Sequence, residues 1–208
     1  MASIIKVDDV QDAAGNNIIN EAGDTITIGA SGDTITIPSG ATFNVAGTVG
    51  TGFTQGITDF DSWRLTTAYS ASGGTIDGSW ERQDEFSENI KKGTGMSESS
   101  GVFTFPVTGI WKITFWTNFV PDGANNYNGF YIEGSDNSGV GYTYLTGAWG
   151  HGAASKSVTI GSECFLNVTD ASTYRVQAKA SSAGNTQYEG STSVAYTYFN
   201  FIRLGDST

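Results

Sequence analysis

The sequence predicts an all-β protein with two parts, a short N-terminal arm built of β-repeats and a larger C-terminal β-sandwich. Two observations predict this division. The segment GDTITI occurs twice in succession, within residues 23–31 and 32–40. In the rest of the chain apolar and polar side chains alternate, most clearly at Trp111, Ile113 and Phe115, and no helical period persists for more than one turn. Alternation with a period of two is typical of half-buried strands.

The composition limits the classes of partner. The chain has 208 residues, 28 of them glycine and 3 proline, a size that allows one ordinary core and a smaller appendage. Charged residues make up only 15%, yet the formal net charge is -11. Such a surface repels nucleic acid and anionic membranes, so we expect neither as a partner. We also expect no membrane insertion and no Sec export, because no apolar run reaches about 18 residues and no leader is visible.

The repeats predict an arm that cannot fold by itself. Each copy places two apolar side chains two residues apart, with threonines on the other face and Gly-Asp at the corner. One arm buries little apolar surface, whereas each ordered residue costs about 1–2 kcal/mol of backbone entropy. Three chains wound around a common axis would bury these side chains, so we expect a trimeric stalk; the alternative is a disordered, low-complexity tail. The predicted interface residues of the stalk are Ile26, Ile28, Ile35 and Ile37.

Residues 1–22 precede the repeats. They carry two apolar clusters, around Ile5 and around Ile18, separated by the turn sequence Gly-Asn-Asn. This pattern predicts a short hairpin or an anchor peptide. The expected organisation is therefore an attachment segment at 1–22, a β-repeat stalk and linker at 23–60, and a sandwich at 61–208.

The sandwich is predicted to contain nine strands joined by loops rich in Gly, Ser, Asn and Asp. In the last strand, SVAYTYFNFIRL, apolar and aromatic residues occupy both faces. A strand of this kind in a two-layer sandwich must face another subunit, so we expect its side chains to divide between the core and a subunit interface. The predicted interface residues are Tyr196, Tyr198, Phe199 and Phe201, joined by Trp116. The predicted strands are 61–69, 100–106, 109–120, 127–133, 140–149, 156–161, 163–169, 172–180 and 192–204.

The spacing of Phe103, Gly109, Trp111, Ile113 and Phe115 resembles the signature of the globular heads of complement and tumour necrosis factor. This resemblance covers roughly residues 61–205. It implies a TNF-like, ten-stranded jelly roll that assembles as a homotrimer, with the C-terminal strand beside the trimer axis.

Groups suited to catalysis are sparse, and we expect the protein not to be an enzyme. The one histidine, His151, lies in a glycine-rich segment, and no Ser–His–Asp or Cys–His order is present. Pairs of neighbouring carboxylates occur, as glycosidases require, but a chain with 21 acidic residues produces such neighbours on its surface. The single cysteine, Cys164, lies in an alternating run and is expected to be a small buried apolar residue.

Metal and cofactor sites are similarly weak. The segment EGSDNSG offers Glu133, Asp136 and Asn137 as oxygen ligands, which suit calcium. The regular ligand spacing of a known calcium loop is missing. We therefore expect no cofactor and regard these three residues as candidate metal ligands only.

Residues suited to recognition are better represented. Segments 121–131 and 142–152 are expected to be loops that combine tyrosines and a tryptophan with asparagines. Aromatic faces pack on the C–H surfaces of sugars while amides bond the hydroxyls, and the same residue types serve protein recognition. Alternation assigns Tyr131 and one of Tyr142 and Tyr144 to the core. The predicted contact residues for a receptor or glycan are Tyr127, Asn125, Asn126 and Trp149.

The N-terminal segment, the TITI repeats and the later run WRLTTAYSASGG together resemble virion structural proteins of tailed bacteriophages, notably fibres of marine phages. The resemblance implies a trimeric tail fibre or spike whose N-terminus docks on another virion protein and whose knob binds a glycan or protein of the host surface. The protein would then be made in the cytoplasm of the infected bacterium and reside in the virion. The alternatives are a capsid decoration, cement or head-fibre protein of the same fold, a glycan depolymerase, and a secreted bacterial matrix protein.

Overall fold

The structure is a computed structural model of the chain, and it describes residues 9–11, 17–21, 26–28, 31–32, 34–42, 56–84, 91–121, 127–153 and 155–208. The chain divides into two compact units, Met1–Phe53 and Thr54–Thr208.

The N-terminal unit contains a three-stranded antiparallel sheet of β1 (Asp9–Gln11), β2 (Asn17–Glu21) and β3 (Ile26–Ile28), in that order. The pairing of β1 with β2 corresponds to the hairpin that is one of the two interpretations of residues 1–22.

The two repeat copies differ in the structure. The first copy supplies β3, which contains Ile26 and Ile28 and pairs with β2. Residues 34–38 of the second copy belong to no sheet in the single chain, and Ile35 and Ile37 are exposed. A strand requires a hydrogen-bonding neighbour, and the described part of a single chain provides none for this segment.

The C-terminal unit is all-β, and its described residues contain no helix. Within the described ranges, accordingly, no helix is long and apolar enough to cross a membrane. Its strands are β4 (Phe60–Leu65), β5 (Tyr69–Thr75), β6 (Trp80–Arg82), β7 (Lys91–Lys92), β8 (Ser97–Ser99), β9 (Val102–Thr104), β10 (Gly109–Pro121), β11 (Tyr127–Ser135), β12 (Thr143–His151), β13 (Val158–Val168), β14 (Arg175–Tyr188) and β15 (Tyr198–Gly205).

These strands form two layers. The first sheet runs β12-β11-β14, and β5 and β9 pair with the other edge of β14. The second sheet runs β13-β10-β15-β4, with β6 and β7 on β4. The layers are continuous at one corner, where Phe119 to Pro121 at the end of β10 pair with Thr186 to Tyr188 of β14. The arrangement is a jelly-roll-like sandwich.

Aromatic side chains fill the space between the layers. Phe103 of β9, in the first sheet, lies 5.1 Å from Phe199 and 5.2 Å from Phe201 of β15, in the second sheet, measured between ring centroids. Its ring also lies 5.5 Å from Trp63 and from Trp80. Further toward β11, Phe115 packs on Phe130 at 4.5 Å. All but Trp80 of these side chains are buried, so the odd residues predicted to face inward on β10 do form the core.

The buried carboxylate of Asp61 on β4 connects this strand to β6 and to the segment before β8. Asp61, 1% exposed, accepts hydrogen bonds from the backbone N–H of Met96 at 2.7 Å and the indole N–H of Trp63 at 2.9 Å. The guanidinium of Arg82 completes the arrangement with an ion pair at 3.1 Å. The approach of the chain to Asp61 requires glycine at Gly95, where φ is +77° and a Cβ atom would lie 2.8 Å from the carboxylate.

The predicted strands agree with the structure in the middle of the sandwich and differ at its edges. The two strands predicted at 156–161 and 163–169 are one, β13, because Gly161 and Ser162 continue the ladder with β10. Strand 172–180 extends to Tyr188, and strand 192–204 begins only at Tyr198. The sequence pattern missed the strands β5, β6, β7 and β8, which are short or lack apolar alternation.

Two predicted interface residues are core residues. Phe199 and Phe201 are completely buried within their own chain, because they face β9 across the sandwich, and they cannot meet a second subunit in this conformation. Gln177, between the core-facing Val176 and Ala178 of β14, is buried as well.

Replacing the ring at the centre of the core should cost most of the stability of the sandwich. We expect Phe103→Ala to lower the free energy of unfolding by about 3–5 kcal/mol, because it leaves a cavity bordered by four aromatic rings. Denaturant unfolding at fixed protein concentration measures the change. The control Val140→Ala, at a side chain 74% exposed, should change stability little. Equal effects of the two substitutions would contradict this description of the core.

The single thiol is expected to be unreactive. Cys164 of β13 lies half-buried against the core, opposite Ile113. Burial, and to a lesser extent the neighbouring carboxylate of Glu163, raises the pKa of the thiol to about 11. At pH 8 its alkylation by iodoacetamide should therefore be slower than that of free cysteine by about two orders of magnitude, and should recover when the protein is unfolded in guanidinium chloride. Alkylation of the folded protein at the free-cysteine rate would show that the thiol is not held as described.

Candidate functional site

The outward face of the first sheet carries a group of aromatic rings on the paired strands β11 and β12. Side chains along a strand point alternately to the core and to solvent, and on β11 the core-facing ones are Phe130 and Ile132. Tyr131 therefore points outward, beside Tyr144 and Trp149 of β12, which are 56% and 43% exposed. We call Tyr131, Tyr144 and Trp149 the platform.

Two glycines, Gly129 of β11 and Gly147 of β12, lie beneath the platform. Gly129 pairs with Trp149, and Gly147 pairs with Tyr131. A Cβ atom on Gly129 would lie 2.6 Å from the indole of Trp149, and one on Gly147 would lie 2.8 Å from the opposite end of the same indole. The indole therefore extends across both glycines, and Trp149 remains 43% exposed. A larger side chain at either glycine would displace it.

The rings also fix one another. Tyr131 stacks on Tyr144 with 4.0 Å between centroids and 26° between planes, and it meets Trp149 edge-on at 4.9 Å and 76°. A register shift between Ile132 and Glu133 sets Tyr144 opposite Glu133, so the bulge brings the Tyr144 ring to this face. Both geometries are favourable for aromatic pairs. The platform is consequently ordered before any ligand arrives.

Polar groups adjoin the rings on the next strand, β14. Glu133 is only 4% exposed. It accepts a hydrogen bond from the amide of Gln177 at 2.8 Å and forms an ion pair with Lys179 at 3.2 Å. The ammonium of Lys179 lies 5.4 Å from the centroid of the Tyr144 ring, and its hydrogen bond to Glu133 is the main cause of the raised pKa of Lys179. The indole N–H of Trp149 donates to the hydroxyl of Ser181 at 3.3 Å. The platform thus has a polar edge that includes a neutralised cation.

The structure brings together some of the predicted contact residues. Trp149 belongs to the platform, and Tyr127 is 53% exposed at the start of the same strand as Tyr131. Both lie in strands, because the predicted loops are in large part β11 and β12. Asn125 and Asn126 lie outside the described residues.

The assignment of Tyr131 to the core is wrong, because alternation from the buried Phe130 turns its ring outward. The assignment of one of Tyr142 and Tyr144 to the core is wrong as well, because Tyr144 of β12 is exposed and Tyr142, just before β12, is half-buried. A signal for the platform was present in the sequence. In GFY and GAWG a glycine stands two residues before an aromatic residue, and therefore on the same face of the strand.

The candidate metal ligands do not converge. Both carboxylate oxygens of Glu133 are engaged by Gln177 and Lys179, whereas Asp136 borders a cavity at the end of the sandwich. Asn137 is exposed in the following turn. In the part of the chain that the structure describes, no group of three or more His, Cys, Asp or Glu side chains is placed to hold a metal ion.

Two cavities border the sandwich, of about 190 and about 230 Å³. Both are smaller than the roughly 300–1,000 Å³ usual for small-molecule sites. Leu145, Leu166 and Tyr174 line part of the first, and Ser70, Asn185 and Gln187 part of the second. Ser135 and Asp136 also line the first cavity, and the hydroxyl of Ser135 accepts hydrogen bonds from the backbone N–H groups of Asn137 and Gly139 in the following turn.

A second group of exposed rings lies on the outward face of the second sheet. Trp116 of β10 is 41% exposed and lies against Gly161, its partner on β13, where a Cβ atom would collide with the indole. Phe165 is 61% exposed, Tyr196 is exposed and Tyr198 is half-buried opposite Trp116. We call Trp116, Phe165, Tyr196 and Tyr198 the second-sheet face. Unlike Phe199 and Phe201, the predicted interface residues Trp116, Tyr196 and Tyr198 are available to a partner.

Solved structures similar to this chain are TNF-like proteins. The Eiger TNF of S. frugiperda matches with a TM-score of 0.54 and 10% identity, covering 74% of this chain and 96% of that one. Mouse APRIL, crystallised at pH 5.0, matches with a TM-score of 0.51 and 12% identity over 70% of this chain and 98% of that one. No protein-family profile matches the sequence, and neither does any curated protein.

These likenesses extend over almost the whole of each solved domain, whereas the sequence identity is very low. They concern the fold alone. The C-terminal unit of this chain is therefore a TNF-like jelly roll.

Proposed function

We propose that the protein is a non-enzymatic, homotrimeric fibre or spike of a bacteriophage virion whose jelly-roll head binds the host cell surface. In this proposal residues 1–22 dock on another virion protein and residues 23–60 form the stalk. The observation that carries the proposal is that both outer faces of the sandwich have exposed aromatic rings that lie against glycines. One face can serve assembly while the other remains free for a ligand.

The second-sheet face is the better candidate for the subunit interface. It lies on the sheet that contains the C-terminal strand β15, and three large side chains, Trp116, Phe165 and Tyr196, are more than two-fifths exposed. Patches of this kind on a soluble domain mark interaction surfaces. On this face Lys112 and Glu163 form an ion pair at 2.7 Å, so their charges cancel and would not repel a second copy.

The virion placement is supported by the sequence resemblance of the N-terminal segment, the TITI repeats and the WRLTTAYSASGG run. The first repeat supplies a strand, and Ile35 and Ile37 of the second are exposed and unpaired among the described residues of one chain. Exposed isoleucines are what a stalk of several chains would bury. A capsid decoration or head-fibre protein with the same head would use the same arm to hold neighbouring capsomers.

A charge on the second-sheet face should prevent assembly. We expect the wild-type protein to sediment as a trimer and Trp116→Glu to sediment as a folded monomer, because the substitution places a carboxylate in an apolar contact. Trp149→Glu is the matched control, since Trp149 is similarly exposed and lies on the other sheet. Sedimentation velocity measures both. A trimer that survives Trp116→Glu, or one that is lost in Trp149→Glu, would contradict the assignment of the interface.

The location of binding decides between a fibre and a decoration protein. We expect fluorescently labelled full-length protein to bind susceptible bacterial cells at a concentration at which it does not bind resistant cells. The same protein is tested on empty capsids in parallel. Binding to capsids alone would make it a decoration or cement protein, and binding to neither would overturn the proposed function.

A further inference from the structure

We propose that the platform formed by Tyr131, Tyr144 and Trp149 is a saccharide-binding site that takes the apolar face of a neutral pyranose unit. This inference names the ligand class of the head and rests on the proposed surface-binding function.

The first argument is the exposure of the indole. Gly129 and Gly147 lie against the two ends of the Trp149 indole with no side chain of their own, and the residue remains 43% exposed. An aromatic ring is therefore open to a ligand at this place on the sheet. Pyranose rings present a flat patch of C–H groups of matching shape, and aromatic rings bind such patches.

The second argument is preorganisation. Trp149 is held by the hydroxyl of Ser181 and by the edge of Tyr131, and Tyr131 is held by the stacked ring of Tyr144. Immobilising a free side chain on binding costs conformational entropy, and these contacts remove that cost because the rings are already held in place. Weak single sites therefore suffice, because three copies in a trimer bind a repetitive surface together.

The third argument is the polar edge. Lys179, about a third exposed, has three donors, and Glu133 takes one of them. Gln177, which is buried, donates to Glu133 and accepts from Thr75 at 2.9 Å, so these residues hold Glu133 and Lys179 in place. An aromatic ring beside a fixed ammonium donor fits a ligand with hydroxyl groups around an apolar face better than it fits an apolar peptide side chain.

The charge of the site favours a neutral sugar over an acidic one. The cation at the platform is already paired with Glu133, and the formal net charge of the chain is -11. An anionic saccharide would meet repulsion from the protein as a whole without gaining an unpaired cation at the site. A ligand with hydroxyl groups and no charge avoids this repulsion and does not need an unpaired cation.

The test measures the binding of the wild-type trimer, Trp149→Ala and Val140→Ala to two targets. One is a set of immobilised hexasaccharides: neutral maltohexaose, mannohexaose, cellohexaose, xylohexaose and chitohexaose, and acidic hexagalacturonate. The other is susceptible cells that are untreated, oxidised with periodate to destroy sugar diols, or digested with protease. Val140 lies outside the platform and is 74% exposed, so its replacement serves as the control. Sedimentation velocity verifies that each variant is still a trimer.

We expect the wild-type and Val140→Ala proteins to bind at least one neutral hexasaccharide, and to bind protease-treated but not periodate-treated cells. Trp149→Ala should lose about tenfold or more in apparent affinity on both targets. The apparent affinity of the wild-type protein should change little between about 50 and about 500 mM salt, because the ligand is uncharged.

Gly147→Val provides a second variant that leaves all three rings in the chain. Its side chain displaces the indole of Trp149, so it should weaken saccharide binding as Trp149→Ala does. If it fails to fold, circular dichroism shows this and Trp149→Ala decides.

Three outcomes would overturn the inference: wild-type affinity in Trp149→Ala, cell binding that resists periodate and disappears with protease, or a preference for hexagalacturonate that salt abolishes. The first two would leave the head a surface-binding module with another site or a protein ligand. Binding of a neutral hexasaccharide without binding of any cell would support the inference and overturn the proposed function. Absence of binding to both targets would overturn both.

Discussion

The contact between Phe103 and the pair Phe199 and Phe201 holds the two sheets of the head together, and the rest of the structure depends on it. These three rings lie about 5 Å apart across the sandwich and are completely buried. Because the aromatic residues of β9, β10, β11 and β15 fill the interior, the remaining large rings of those strands and their neighbours must lie on the outer faces. The core thus determines which rings are available for function.

The two outer faces share one structural feature, a tryptophan against a glycine, although we propose different functions for them. On each, a tryptophan lies over glycine of the neighbouring strand, Trp149 over Gly129 and Trp116 over Gly161. Their surroundings differ. Trp116 has other apolar side chains near it in the register, which suits a subunit contact, whereas Trp149 adjoins the polar row of Glu133 and Lys179, which suits a hydroxylated ligand.

The sequence was informative where a strand is half-buried and long. The alternation from Trp111 to Phe115 predicted both β10 and its core-facing residues, and the TNF-like fold followed from the same motif. It was less informative where tertiary contacts override local pattern: the pattern predicts separate strands at 156–161 and 163–169, whereas β13 is continuous and Trp116 covers Gly161 within it. The platform was predicted only in Trp149, because the outward direction of Tyr131 depends on the register of β11, which the sequence alone does not fix.

The central claim is that the second sheet forms the subunit interface while the first sheet binds the ligand. An experimental structure of the full-length assembly at side-chain resolution tests it most directly. The account predicts three copies around one axis with the indole of Trp116 buried between subunits and the exposed face of Trp149 open to solvent. Subunits that meet through the first sheet and cover Trp149 and Tyr144 would contradict it.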